Sequence, residues 1–361
     1  ADPYRIFDEP GERAATMTRT VSRLTLRDVA ERVGIHPATA SRALNESTRH
    51  LVSEDTARRV TEAALEMGYT PNSIARSLKT SRSLTVGVVL PDLTNPLFPP
   101  MVRGIEDALM PAGFTALIAN TDNDEEHARH VVHALALRQV DGWISAIATL
   151  GADLTDLAGT PLVLLNRQDD HGTPAVVGDD RGGIVQATEH LIALGHRRIA
   201  HVAGPQALST GNARHHAYLE LMAERGLDRG PDLVRFGDAF TEQEGARALR
   251  SLLDGPGRFT AVLAGNDLMA LGCYEVLAER GLRCPDDISV VGFNDMPFAD
   301  RFSPPLTTMR IPHHAMGLRA AEQLLARIGG ELDGQSLTVL PAELVVRRST
   351  APPVSVASGV G

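Results

Sequence analysis

From Leu84 almost to the C-terminus, short runs rich in Val, Ile and Leu alternate with segments of helical length. This alternation predicts parallel strands joined by helices. Eight such strands are many for one open sheet, so we expect an α/β core of two doubly wound lobes. A single β/α barrel is the alternative, since it alternates in the same way. The predicted strands are 85–90, 115–119, 142–145, 162–165, 176–177, 198–203, 261–264 and 289–292.

The segment before this core has a different pattern, that of three short helices. The first is predicted between Thr25 and Gly34, with apolar residues at helical spacing, and the third between Ser53 and Gly68. The second begins at His36, with Pro37 in its first turn. Its polar side carries Thr39, Ser41, Arg42 and Asn45. Two helices joined through a turn containing Gly predict an all-α helix-turn-helix head, and a small bundle without a DNA role is the alternative.

Charge is divided unevenly along the chain. The 361 residues carry a net charge of −10, which argues against a nucleic-acid partner for the whole chain. Residues 13–82, however, hold 12 Lys and Arg against 7 Asp and Glu, whereas residues 83–361 hold 22 against 34. The positive charge therefore lies where the helix-turn-helix is predicted, although an excess of this size is weak support by itself.

Residues 71–80 form a stretch of helical length with little apolar surface, followed by a polar linker. An isolated helix of this kind is marginal in water. Leu78, near its end, could open a base step in a minor groove, or it could pack against the core.

These residues closely resemble the LacI/GalR family of transcription regulators. The resemblance is carried by residues 25–35, 37–45, 68–72 and 75–78 and extends from 24 to about 350. It implies a helix-turn-helix at 24–70, a hinge helix and linker at 71–83, and a two-lobed, periplasmic-binding-protein-like core for effector binding and dimerisation at 84–350. It places one lobe at about 84–178 and 309–341, and the other at about 179–308 and 342–350. Outside the resemblance, we expect residues 1–23 to be a flexible extension and residues 351–361 a flexible tail.

In this family the second helix enters the major groove of operator DNA, and the hinge helix inserts a leucine into the minor groove. The planar guanidinium of Arg42 independently suits the two acceptors of guanine. His36 stands where the family usually has Ser, and we expect it to reach a phosphate. The DNA-binding residues implied are Thr25, Leu26, His36, Pro37, Ala38, Thr39, Ser41, Arg42, Asn45, Asn72, Ala75 and Leu78.

Polar residues recur directly after the predicted strands, and ligands of such sheets bind beyond the carboxyl ends of the strands. Each of these residues could instead make a turn or a helix cap. Together with two aromatic rings they suit a neutral polyhydroxylated ligand, a sugar, and the family has its effector cleft at matching positions. The predicted effector-binding residues are Asn95, Phe98, Asn166, Arg167, Arg214, Phe240, Asn266 and Asn294.

Other chemistry has little support in the sequence. There is no phosphate-binding GxxxxGK[ST] loop and no GxSxG elbow, so we expect neither an enzyme nor a cofactor. Cys273 and Cys284 are expected to be buried, inert thiols. Histidines at 127, 130 and 133, and the pairs at 215–216 and 313–314, are expected on solvated helix faces rather than around a metal.

The function predicted is that of a homodimeric repressor whose affinity for a pseudo-palindromic operator is controlled allosterically by a small effector, a sugar or sugar derivative. No apolar run approaches the roughly twenty residues of a membrane span, and residues 1–11 lack a secretory signal, so a cytoplasmic location is expected. The alternative is a solute-binding protein of the periplasmic sugar-binding type without a regulatory role.

Overall fold

The computed structural model describes residues 24–45, 48–69, 82–149, 159–332 and 334–354. The chain forms two compact units, residues 1–80 and 81–361. The predicted extension at 1–23 lies outside the described residues, as do positions 71–81 of the predicted hinge and 355–361 of the predicted tail. No helix among the described residues is both long and apolar enough to cross a bilayer.

The described part of the first unit contains three α-helices: α1 (Leu26–Val33), α2 (Pro37–Ala43) and α3 (Glu54–Met67). The Asp28 carboxylate accepts hydrogen bonds from the backbone N–H of Thr25, at 2.6 Å, and from its hydroxyl, at 2.8 Å, which holds the start of α1. Gly34 ends α1 at a φ of 73°, a conformation that favours glycine. The three predicted helices are confirmed.

The core of the head consists mainly of alanines, which let three short helices approach closely. One face of each helix is used, so the opposite face of α2 stays at the surface. Leu26 packs against the margin of this core. The buried residues are Val29, Ala30, Ala40, Ala43, Ala57, Val60, Ala63 and Ala64.

The second unit contains a six-stranded and a four-stranded sheet, both entirely parallel. Their strands are β1 (Thr85–Leu90), β2 (Thr115–Asn120), β3 (Gly142–Ser145), β4 (Leu162–Leu165), β5 (Ala175–Gly178), β6 (Ile199–Ala203), β7 (Val234–Phe236), β8 (Ala261–Ala264), β9 (Ser289–Val291) and β11 (Leu337–Leu340). The six-stranded sheet has the order β11-β5-β4-β3-β1-β2, and the four-stranded sheet has the order β7-β6-β8-β9. A further antiparallel pair joins β10 (Thr308–Arg310) to β12 (Glu343–Val345). Two open parallel sheets confirm the doubly wound core and exclude the barrel.

Seven helices cover these sheets among the described residues. They are α4 (Phe98–Leu109), α5 (Glu125–Ala136), α6 (Asp180–Ala193), α7 (Ser209–Glu224), α8 (Glu242–Asp254), α9 (Asp267–Glu279) and α10 (His313–Gly329). Helices α4 and α10 pack so closely that only glycine fits at two positions. A Cβ added at Gly104 would collide with the carbonyl oxygen of His314, and a Cβ added at Gly317 would collide with that of Met101. Helix α10 is thereby fixed to the six-stranded sheet.

The chain passes between the two sheets three times. It leaves the six-stranded sheet after β5, returns between β9 and α10, and leaves again after β11. The first and third passages are joined by a hydrogen bond from the Asp179 N–H to the Leu340 carbonyl, at 2.8 Å. The last segment then adds to the four-stranded sheet, where the Val290 N–H donates to the Ser349 carbonyl at 2.8 Å.

Two of the histidines expected on solvated faces are instead partly or almost wholly buried. His215 is half-buried, and its ring stacks on that of His201 with centroids 5.7 Å apart. His313 is only 8% exposed. Both belong to pairs in which the second histidine is exposed, because neighbouring positions of a helix point in different directions. Cys273 is buried, as expected, whereas Cys284 is only half-buried.

Candidate functional site

Helix α2 presents its outer face at the surface of the head. His36 acts as the N-cap of this helix: its Nδ1 accepts a hydrogen bond from the backbone N–H of Ala38, at 3.2 Å. A ring that accepts through Nδ1 carries its proton on Nε2, which leaves an N–H donor for an outside partner. His36, Ala38 and Arg42 are exposed, and Pro37 is half-buried in the first turn.

The guanidinium of Arg42 makes no hydrogen bond or ion pair with any side chain that the structure describes. Only the Arg42 backbone is engaged, since its carbonyl accepts from the Thr48 hydroxyl at 3.2 Å. Within the described part of the head, its five donors in a rigid plane are therefore without a partner.

The other predicted DNA-binding residues are distributed as follows. Thr39, Ser41 and Asn45 are half-buried along α2 and just after it. Thr25 is exposed, although its hydroxyl already donates to Asp28, and the Leu26 side chain is committed to the core of the head. Asn72, Ala75 and Leu78 lie outside the described residues.

The second unit has a pocket of about 690 Å³, including the part open to solvent, at the carboxyl ends of the strands of both sheets. The structure brings all eight predicted effector-binding residues to its wall. Asn95, Phe98, Asn166 and Arg167 approach from the six-stranded sheet, and Arg214, Phe240, Asn266 and Asn294 from the four-stranded sheet.

Two of the pocket asparagines lie at unusual backbone conformations. Asn166 has a φ of 56° and Asn294 a φ of 119°, in the range that side-chain-bearing residues seldom adopt. Both are buried, and no described protein group forms a hydrogen bond with either side-chain amide. Strained backbone is concentrated at functional sites, so these two amides are candidates for direct ligand contacts.

The other two asparagines also serve as helix caps. The Asn95 Oδ1 accepts from the Leu97 N–H at 3.1 Å, and the Asn266 Oδ1 accepts from the Met269 N–H at 2.8 Å. The capping role considered for strand-end residues therefore applies to both. Each amide group can still turn its Nδ2 donors toward the pocket, although that of Asn266 lies 3.5 Å from the Phe240 carbonyl.

Arg214 is held rigidly in the pocket and is only 4% exposed. Its Nε donates to Asp180 Oδ1 at 2.7 Å, and its Nη1 donates to the Gly265 carbonyl at 2.7 Å. The guanidinium carbon lies 3.8 Å from the centroid of the Phe293 ring. Burial raises the pKa of Asp180, and the charge of Arg214 opposes that rise. The pair fixes the orientation of a planar group that can face a ligand.

Phe240 contributes an apolar wall. A Cβ at Gly204 would collide with the Phe240 ring, so this glycine permits the ring to lie close to the end of β6. The Arg214 guanidinium also lies 5.7 Å from the centroid of this ring. Phe98 is almost fully buried at the start of α4.

The sequence reasoning missed Asp180 and Thr210. Asp180 begins α6 directly after β5, and Thr210 lies in the first turn of α7, after β6. The rule that used strand ends to find the other residues would have found Asp180, had it been applied to the segment after β5. Thr210 does not directly follow β6, which ends at Ala203, so this rule gave no signal for it. Thr210 lines the pocket, and its buried hydroxyl has no hydrogen-bond partner among the described residues.

Comparison with known proteins shows the family. Residues 25–72 match the model of bacterial regulatory proteins of the lacI family, and residues 188–350 match the periplasmic binding protein-like domain. The transcriptional repressor PurR of Aliivibrio salmonicida is 32% identical over 330 residues, which are 90% of this chain and 98% of PurR. The ribose operon repressor of Halalkalibacterium halodurans is 32% identical over 326 residues, 90% of this chain and 97% of that protein.

The chain belongs to the LacI family. It is a DNA-binding transcriptional regulator rather than an enzyme or a free-standing solute-binding protein. Solved structures of LacI proteins agree in fold. A lac repressor dimer bound to operator and the anti-inducer ONPF has a TM-score of 0.80 at 28% identity, covering 91% of this chain and 99% of that one. The regulator CelR in complex with cellobiose has a TM-score of 0.69 at 35% identity, covering 91% and 100%.

Proposed function

We propose that this LacI-family regulator is a homodimeric repressor that binds a pseudo-palindromic operator and that a small effector, a sugar or sugar derivative, controls its operator affinity. One observation supports the effector part of this proposal: the eight residues that the sequence predicted to bind an effector all line one pocket. We also propose a cytoplasmic location, since operator DNA is found there in bacteria.

On the DNA side, the proposed contacts are those of the exposed face of α2 and of the hinge. Arg42 reads a base edge in the major groove, and Ala38 and Pro37 make apolar contacts beside it. The Nε2–H of His36 is free to donate to a phosphate. Leu78 is proposed as the side chain that opens the central base step. The remaining proposed contacts are Thr25, Leu26 through its backbone, Thr39, Ser41, Asn45, Asn72 and Ala75.

On the effector side, the position of the pocket supplies the mechanism. Its walls come from both sheets, so a ligand that contacts both stabilises one separation of the sheets over others. We assign one lobe to about 84–178 and 309–341, and the other to about 179–308 and 342–350. The hinge at 71–83 precedes the first lobe, so a change in lobe orientation alters how two hinge helices pair on DNA.

The dimer is proposed from the DNA requirement. A pseudo-palindromic operator has two half-sites, and a twofold dimer matches its symmetry. The similar lac repressor structure is described as a dimer bound to operator.

The experiment begins with selection of duplexes from a random pool by the full-length protein. We expect a palindromic consensus, and fluorescence anisotropy should then show that at least one sugar or sugar derivative changes the affinity for that duplex. Arg42→Ala should lose the preference for the consensus base at one position of each half-site. If the protein shows no preference for any palindromic duplex over random DNA, with or without candidate ligands, the proposal is wrong.

A further inference from the structure

Arg167 occupies an unusual position in the pocket, because it is buried without a carboxylate partner. Arg167 is 5% exposed, and among the described residues its guanidinium makes one hydrogen bond, from Nη1 to the Asn166 carbonyl, at 2.6 Å. Its Nε has no hydrogen-bond partner among the described residues, and it makes no salt bridge with any of them. Buried arginines are normally paired, so this arrangement leaves a strong donor unused.

A second group of unused donors lies at the start of α7. This 16-residue helix has Leu208 at its N-cap position, and no side chain caps it. The backbone N–H groups of its first turn have no partner within the helix, and the helix dipole makes this end positive. Thr210, in that turn, is 2% exposed, and its hydroxyl has no partner among the described residues. Leu208 and Thr210 line the same pocket as Arg167.

The acidic groups in the pocket wall and next to it do not balance these donors. Asp180 is committed to Arg214, 2.7 Å away. Asp92 accepts from the backbone N–H and the hydroxyl of Thr94, at 2.8 and 2.6 Å. The side chain of Asp238 is 96% exposed, where water screens its charge. One buried positive charge therefore remains without a counter-charge of its own.

Burial and the neighbouring charge of Arg214 together lower the pKa of Arg167 to about 10, while the charge of Asp180 acts in the opposite direction without cancelling them. At that value the guanidinium is still charged at neutral pH. Removing such a charge from water is unfavourable unless an opposite charge or several acceptors replace the lost hydration. A ligand is the natural source of that replacement in an effector pocket.

We propose that the effector of this regulator carries an oxyanion, a carboxylate or a phosphate, which binds between Arg167, the Thr210 hydroxyl and the N-terminus of α7. This inference rests on the proposed effector pocket and narrows its ligand from sugars in general to sugar acids or sugar phosphates. Phe98, Phe240 and the asparagine amides then hold the uncharged part of the ligand. It departs from the neutral sugar that the sequence indicated, because the sequence did not reveal that Arg167 lacks a partner.

The test compares matched ligands on the full-length protein by isothermal titration calorimetry. The probes are glucose, glucuronate and glucose 6-phosphate, then ribose and ribose 5-phosphate, and inorganic phosphate alone. We expect an anionic member of a set to bind at least about tenfold more tightly than its neutral parent, with an affinity that falls as salt rises. Tighter binding of glucuronate identifies a carboxylate effector, and tighter binding of a sugar phosphate identifies a phosphate effector.

Variants assign the preference to the proposed residues. Arg167→Gln should remove most of the difference between anionic and neutral ligands, and Arg167→Lys should restore part of it. Arg301→Gln, at a side chain 79% exposed, is the matched control and should keep the wild-type difference. Should Arg167→Gln fail to fold, Thr210→Val tests the same site, with a smaller expected loss of the preference.

Three results would overturn the inference: neutral sugars that bind as tightly as their anionic partners, no binding of any anionic probe at millimolar concentration, or a preference that survives Arg167→Gln unchanged. Operator binding, measured on the same preparations, separates this failure from that of the proposed function. A protein that binds its selected duplex and responds to a neutral sugar refutes only the oxyanion. A protein that selects no duplex refutes the function itself.

Discussion

Arg214, in the wall of the pocket, forms an ion pair with Asp180, with Nη2 and Oδ1 2.7 Å apart and side chains that are 5% and 12% exposed. The pair joins the first turn of α6 to the second turn of α7. A buried pair of this kind adds little to stability by itself, but the loss of one partner leaves the other charge without compensation.

Asp180→Asn should therefore destabilise the protein by about 3–5 kcal/mol, because the charge of Arg214 loses its counter-charge while the side-chain shape is kept. Urea unfolding of the full-length protein measures this difference. The matched control is Glu279→Gln, which breaks an exposed pair with Arg250 and should cost less than about 1 kcal/mol. Equal losses in the two variants would contradict a buried, coupled pair.

Arg42→Ala should weaken binding to the selected operator by about 1–3 kcal/mol, or roughly 5- to 150-fold, and should relax preference at one base position of each half-site. The reason is that its guanidinium has no partner within the described head and is free to form a bidentate contact with guanine. Anisotropy titrations with single-base variants of the operator measure both effects. Arg32→Ala, on α1, should change affinity less than twofold. A uniform loss across all sequences would instead indicate a phosphate contact.

His36 caps α2 through its ring, so the cap depends on an acceptor at this position. His36→Ala should destabilise the start of α2 by about 0.5–2 kcal/mol, while His36→Ser, which supplies a better acceptor, should not. Hydrogen exchange of the segment containing α2, followed by mass spectrometry on the full-length protein, reports the difference directly. Identical exchange in the Ala and Ser variants would show that the cap contributes nothing.

Burial lowers the pKa of His313 to about 4, and the nearby charge of Arg214 acts in the same direction, whereas Asp295 acts against it. Between pH 4 and 6.5 the unfolded chain binds a proton that the folded protein does not, so the stability contributed by the neutral ring is lost as pH falls through this range. His313→Leu should remove this sensitivity, which amounts to roughly 3 kcal/mol.

The measurement is the difference in unfolding free energy between wild type and His313→Leu at several pH values. The difference is needed because Asp267 acts in the opposite sense: burial raises its pKa to about 7, so its contribution to stability falls as pH rises from about 4 to 7. His130→Gln, at an exposed position, is the control. A difference that stays constant with pH would rule out a neutral, buried His313.

The sequence predicted the two sheets and the pocket residues for a shared reason: buried parallel strands are continuous apolar runs, and polar residues at their ends mark the binding edge. It missed β7, β10 and β12, which have three residues each and include a charged residue, Arg235, Arg310 and Glu343, so none of them is a continuous apolar run. It missed β11 because that strand lies at the edge of its sheet, where Leu337 and Val339 are exposed. The missing partner of Arg167 could not be predicted, since pairing depends on distances in space.

The three passages between the sheets also govern how the regulator can be made by the ribosome. Strand β11 completes the six-stranded sheet, yet it is translated after the whole four-stranded sheet. The six-stranded sheet therefore stays incomplete, with the edge of β5 unpaired, until residue 340 has left the ribosome. A chain cut short anywhere before that point would expose this edge permanently, so incomplete translation products of this repressor should aggregate rather than accumulate as folded fragments.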